Sequence, residues 1–197
     1  MVLVYLASED ELSCAVGKKI IAEALPSAII ECPQQKGHTY LQQKLDGFLR
    51  LASHHFVIVL TDLDSAACPV ELKGAWLRGK TVPEKFLLRI AVREIESWLL
   101  ADSEGLSNFL GGRSAGKMCL TPEELDYPKE KMLQIAKSAS REMMSDLVIV
   151  RRGKMVTGTG YNIRLRDFVN QGWCIRRAAE RSESLRRAQR AISSLLT

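Results

Sequence analysis

Residues 55–61 read HFVIVLT, and the fold turns on them. The five consecutive apolar residues from Phe56 to Leu60 leave no polar face, so a strand made of them must be covered on both sides. Such a strand belongs in the middle of a parallel sheet with helices on either face. The chain around it follows the same pattern. Residues 2–7 (VLVYLA) are a second continuous apolar run, 27–32 (SAIIEC) a shorter one, and 86–92 (FLLRIAV) a fourth. Between these runs the apolar spacing is helical. Leu12 to Leu25 stop at Pro26, Tyr40 to Ala52 put Leu41, Leu45, Phe48 and Leu49 on one face, and Pro69 to Leu77 fit a short helix. The order β-α-β-α-β-α-β predicts an α/β fold on a parallel sheet.

Beyond the fourth run the character changes. Arg93 to Asp102 look helical, Gly105 to Leu120 are turn-rich, and Pro122 and Pro128 mark a boundary. Helical spacing returns over 129–144, 162–170 and 174–195, with a possible strand at 146–150. The expected organisation is an α/β core over 1–121 and a mostly helical, basic C-terminal extension over 122–197 packed on it. The chain is 46% hydrophobic and 26% charged, which excludes disordered and low-complexity classes. No apolar run is long enough to span a bilayer, and the N-terminus runs from apolar residues straight into acids. A cytoplasmic location is expected. Five cysteines with no CxxC spacing are expected to be free, mostly buried thiols.

Charge is unevenly placed. Residues 141–197 hold twelve Arg or Lys against five Asp or Glu, a balance of +7, while 1–140 hold sixteen against eighteen, a balance of −2. A basic C-terminal part suits a polyanionic partner, or else a set of solvated helix faces. Arg151, Arg152, Lys154, Arg164 and Arg166 surround VTGTGYN (156–162) and are the candidate nucleic-acid contacts. Gly158 and Gly160 permit close approach of the backbone, to a ligand or to another segment of the chain. The alternative for this stretch is a loop capping the last helices, with Asn162 as an N-cap.

Sites in open α/β sheets lie at the carboxyl ends of the strands. Two acidic groups fall there: Ser8-Glu9-Asp10-Glu11 after the first strand and Asp62-Leu63-Asp64 after the third. On an extended backbone Asp62 and Asp64 point the same way, roughly 7 Å apart. With Glu9 opposite, three carboxylates converge, and a hard cation such as Mg²⁺ would relieve their repulsion. Each acid read singly has a plainer role as a helix cap or turn former. Glu94 and Glu96 follow the fourth strand; Glu94 is a candidate fourth acid, or both favour a helix N-terminus. His38 lies on the same edge, where it could act as a general base. His54 and His55 lie at the opposite edge, and no histidine is assigned to a metal.

Glu9 after one strand and the Asp62-x-Asp64 pair after another resemble the Toprim domain of topoisomerases, primases and several nucleases. In that family such residues bind Mg²⁺. Glu9 stands at the glutamate of the usual Val-Glu-Gly signature, and Asp10 replaces its glycine. More closely, the chain is similar to the Toprim-like domain-of-unknown-function family 4276. The matching stretches are residues 4–12 (VYLASEDEL), 60–69 (LTDLDSAACP), 88–102 (LRIAVREIESWLLAD), 128–130 (PKE) and 158–164 (GTGYNIR). The resemblance implies a Mg²⁺- or Mn²⁺-dependent nuclease acting on DNA or RNA. Glu9, Asp62 and Asp64 would hold metal, with Glu94 a further catalytic acid. It also implies bacterial anti-phage defence beside an AAA- or ABC-type ATPase. The rival reading is a non-catalytic or partner-activated subunit of such an ATPase complex. No membrane role is expected, and oligomeric state is left open.

Overall fold

The computed structural model describes residues 2–33, 36–111 and 115–196. Its four-stranded sheet has the order β2-β1-β3-β4, from β1 (Leu3–Ser8), β2 (Ile29–Glu31), β3 (Phe56–Asp62) and β4 (Phe86–Ala91). Every pairing in it is parallel. The α/β class read from HFVIVLT is the observed one, and β3 is indeed central, with β1 on one side and β4 on the other.

The chain leaves β1 through α1 (Glu11–Ala24) to reach β2 at one edge. It returns through α2 (Gly37–Leu51), past β1, to β3, and continues through α3 (Pro69–Leu77) to β4. The direction of winding therefore reverses between β1 and β3. Right-handed crossovers then place α1 on one face and α2 and α3 on the other. The packing agrees. Ala7, Val57, Val59, Phe86 and Leu88 share one buried cluster with Leu41, Leu45 and Leu49 of α2 and Trp76 of α3. The alternate residues Val4, Leu6, Ile58 and Leu60 point the opposite way and are equally buried. Each such side chain contributes about 1.5–3 kcal/mol on burial, so the sheet is stabilised from both faces. Gly17 lets α1 ride close to β1: a Cβ there would stand 2.8 Å from Leu6 Cδ2.

Two compact units emerge, Met1–Val92 with Arg186–Thr197, and Arg93–Leu185. The boundary expected near residue 121 falls inside the second. That unit is built on α4 (Ile95–Ala101), every residue of which is buried. Trp98 Nε1 donates to Ser184 Oγ (2.7 Å), and Trp173 Nε1 donates to the Trp98 carbonyl (3.0 Å). The rest comprises α5 (Ser103–Phe109), α6 (Pro128–Ala136), α7 (Arg141–Leu147), the hairpin β5 (Val148–Arg151) and β6 (Lys154–Thr157), α8 (Tyr161–Gln171) and α9 (Ile175–Arg181). The final helix, α10 (Glu183–Leu196), buries Leu185, Ala188, Ile192 and Leu196.

Several local expectations change. The single helix over 129–144 is two, because Ser140 caps a new start by accepting from the Met143 N–H (3.3 Å). Within the turn-rich 105–120 stretch, Gly105 to Phe109 belong to α5, capped by Asp102. Arg152 (φ 49°) and Gly153 (φ 77°) both adopt left-handed backbone between two paired strands. This is the two-residue turn whose twist matches a hairpin, and it creates a strand, β6, that apolar spacing did not announce. The cysteines also differ from expectation. Cys14 and Cys32 are joined as a disulfide, and Cys68, Cys119 and Cys174 are free but only half-buried. Parallel pairing of β1 with β2 brings the start of α1 beside the end of β2, which is why these two meet. Among the described residues no helix is long and apolar enough to cross a membrane.

Candidate metal centre

The reversal between β1 and β3 opens a crevice at their carboxyl ends, the usual ligand position in such sheets. Ser8 pairs with Leu60, so the residues that follow, Glu9 and Thr61, face each other as the strands end. The Glu9 carboxylate reaches across. Its Oε1 accepts hydrogen bonds from the Thr61 hydroxyl and from the Asp62 N–H, the latter at 2.9 Å. Thr61 is buried, so this anchor is rigid.

Asp10, which takes the place of glycine in the resembling signature, has a structural task. Its Oδ1 accepts from the Ser13 N–H at 2.7 Å and caps α1. Ser8 closes β1, and the N-cap follows two residues later. An Asp cap also turns the β1–α1 corner directly after Glu9, fixing where that residue's backbone points.

α2 begins earlier than its apolar spacing indicated, at Gly37 in place of Tyr40. The Gly37 N–H donates to the Glu9 carbonyl (2.9 Å), which ties the start of α2 to the exit of β1. His38, in the first turn, is thereby carried to the crevice. Its Nδ1 lies 3.5 Å from Glu9 Oε1 and 3.3 Å from Thr61 Oγ1. The ring stands edge-on to Trp76, centroids 5.1 Å apart.

Asp64 completes the group: one ligand atom each from Glu9, His38 and Asp64 lie within 4.8 Å of one another. The two aspartates do not share an extended backbone. β3 ends at Asp62, the Leu63 N–H donates to the Ala91 carbonyl (2.9 Å), and Asp64 is left-handed at φ 50°. Aspartate tolerates that region better than most residues. The turn brings Asp64 in, while Asp62 lends its backbone N–H to Glu9. His38, given no metal role in the sequence reading, stands beside Glu9 and Asp64 because α2 starts at Gly37 and not at Tyr40.

The remaining candidates lie in the second unit. Glu94 is the N-cap of α4, and its Oε2 accepts from the Lys129 N–H at 2.8 Å, so it caps the first turn of α6. Glu96 is buried; its Oε1 accepts from the Tyr161 hydroxyl (3.1 Å) and lies 3.5 Å from Lys129 Nζ. Burial raises its pKa, with Lys129 opposing. Gly158 and Gly160 approach another segment of the chain: a Cβ on either would collide with Asp146. The five basic residues divide. Arg151, Arg152 and Lys154 are exposed on the β5–β6 hairpin. Arg164 is held by Asp146 (2.7 Å) and Glu142 (3.1 Å), which raise its pKa, and Arg166 is half-buried on α8.

Comparison with known proteins returns one family, described as a domain of unknown function (DUF4276), over residues 13–149. That span includes His38, Asp62, Asp64 and Glu94; Glu9 stands just before it. No curated protein and no solved structure matches.

Proposed function

We propose that this chain, which belongs to the family of domains of unknown function DUF4276, is a divalent-metal-dependent phosphodiesterase acting on nucleic acid. One observation carries the reading: Glu9, His38 and Asp64 converge where the winding of a parallel sheet reverses. The donor set fits a divalent ion. Among the described residues, the contacts of the Glu9 carboxylate fall on Oε1, which leaves Oε2 for a ligand. Asp64 is exposed and offers a hard oxygen from the turn. Glu9 and Asp64 would hold Mg²⁺ or Mn²⁺, with Asp62 beside them. A metal ion bound there supplies Lewis acidity and lowers the pKa of bound water.

The protein's own groups do the rest. Thr61 and the Asp62 N–H hold Glu9 in one orientation, so little ordering remains on binding. Arg151, Arg152 and Lys154, projecting from a short hairpin, contact phosphates without reading sequence. Substrate is DNA or RNA, and affinity falls with salt. A role in bacterial phage defence beside an ATPase is part of the same proposal and rests on the Toprim-like resemblance. Its variant is a subunit active only with that ATPase.

The test is cleavage of plasmid DNA, single-stranded DNA and tRNA with Mg²⁺, Mn²⁺ or EDTA, beside Asp64→Asn and Asp62→Asn. Metal-dependent cutting that Asp64→Asn abolishes supports the free nuclease, and loss in Asp62→Asn as well adds the Asp62 side chain to the site. Metal binding without cutting supports the partner-dependent variant. Neither binding nor cutting overturns both.

A further inference from the structure

We propose that His38 is a nitrogen ligand of this centre and biases it toward Mn²⁺ over Mg²⁺. The inference rests on the metal centre proposed above and concerns its selectivity. Carboxylate oxygens alone suit Mg²⁺ and Mn²⁺ alike, whereas imidazole nitrogen favours transition ions and adds little for Mg²⁺. A centre of two carboxylates and one imidazole is therefore of mixed hardness.

Three features make His38 a ligand and not a bystander. Its ligand atom falls in the same group as those of Glu9 and Asp64. The imidazole is two-thirds covered, oriented by Trp76 on one side and by Thr61 on the other. The backbone bond from Gly37 to the Glu9 carbonyl couples its helix to the strand that carries the carboxylate. An imidazole placed this way loses little rotamer freedom when it coordinates. Thr61 serves both sides, donating to Glu9 and lying within hydrogen-bond distance of His38. That shared hydroxyl holds both side chains against the same strand end.

The deciding measurement is pulsed electron paramagnetic resonance of the full-length protein loaded with Mn²⁺. Coupling to a directly bound ¹⁴N is expected in the wild type and is lost in His38→Gln; His54 and His55 precede β3 at its amino end and do not supply it. Calorimetric titration adds the selectivity. His38→Gln weakens Mn²⁺ about tenfold and leaves Mg²⁺ within about threefold. Mn²⁺ bound by the wild type without nitrogen coupling overturns the inference while sparing the metal centre. Equal weakening of both ions in His38→Gln overturns it too, and makes His38 a positioning residue. Failure of the wild type to bind either ion sinks the proposed function along with it. The wild-type spectrum decides even where the variant does not fold.

Discussion

Asp102 and Glu9 are two carboxylates at the ends of secondary-structure elements, and the two units of the chain treat them differently. Asp102 is completely buried. Its Oδ1 accepts from the Gly105 N–H (3.1 Å) and Arg177 Nε (2.7 Å). Its Oδ2 accepts from the Cys174 N–H (2.7 Å) and Arg177 Nη2 (2.9 Å). Four donors on two oxygens leave nothing for a ligand. The same bonds raise the pKa of Arg177. Glu9 is fastened by Oε1, keeps Oε2 clear among the described residues, and is joined by His38 and Asp64. A saturated carboxylate is structure; a half-saturated one in a crevice is the candidate for chemistry.

The contrast breaks most visibly at Asp102. Asp102→Ala strips two backbone N–H groups of their acceptor and leaves Arg177 without its counter-charge. Arg177 is about one-third exposed and rehydrates in part, so the loss is expected near the lower end for such pairs, about 3 kcal/mol. Thermal unfolding should fall by roughly 10 °C. A fall under 2 °C contradicts the structural role.

Glu9→Gln is the converse. The amide oxygen still accepts from Thr61 and Asp62, so stability should change by less than about 1 kcal/mol. Affinity for Mn²⁺ or Mg²⁺, followed by calorimetry, should drop at least about tenfold. A variant that unfolds yet still binds metal reverses the assignment of the two carboxylates.

The hairpin cations test the same division on the basic side. Arg151→Gln, Arg152→Asn and Lys154→Gln together should weaken nucleic-acid binding about tenfold at low salt. The salt slope should become shallower by about one for each phosphate the hairpin no longer neutralises. Asparagine is chosen at Arg152 because the backbone there is left-handed. Unchanged binding removes the hairpin from the interface. Arg164→Gln should instead act on stability, since its partners are Asp146 and Glu142.

Glu96 gives the smallest effect. Burial raises its carboxyl above the ordinary value of 4.5, so the folded chain keeps this proton to higher pH than the unfolded chain. The associated stability is fully present below about pH 4.5 and is lost as pH rises through the folded value. Glu96→Gln keeps the Tyr161 hydroxyl partnered and should raise the unfolding temperature by about 2–4 °C at pH 8, with no change at pH 4. Equal shifts at both pH values would contradict the burial account.

Much of the first unit was readable residue by residue. Phe56 to Leu60 could only be a two-face strand, and the acids after β1 and β3 followed from chain order. The misreadings share a cause, which is that local pattern carries no information on who sits opposite. Asp62 and Asp64 look alike in a DxD, yet the turn at Asp64 separates their roles. His38 reads as a loop histidine until α2 is seen to start at Gly37, a start set by a bond to the Glu9 carbonyl. In the second unit, 137–157 hides a helix break and a hairpin because short, polar elements have weak periodicity.

Periodicity and punctuation by themselves determined the α/β class, the order of the first four strands along the chain, and the acids at the strand ends. These are properties of covalent order, since which residues alternate or recur is written in the chain. Tertiary structure alone decided that β1 lies between β2 and β3, that Glu9 is anchored by Thr61, that His38 joins Asp64, and that Asp102 is consumed by Arg177. Each of these depends on residues from 23 to 75 positions apart meeting in space. Only the packing of elements on one another within each unit selects such encounters.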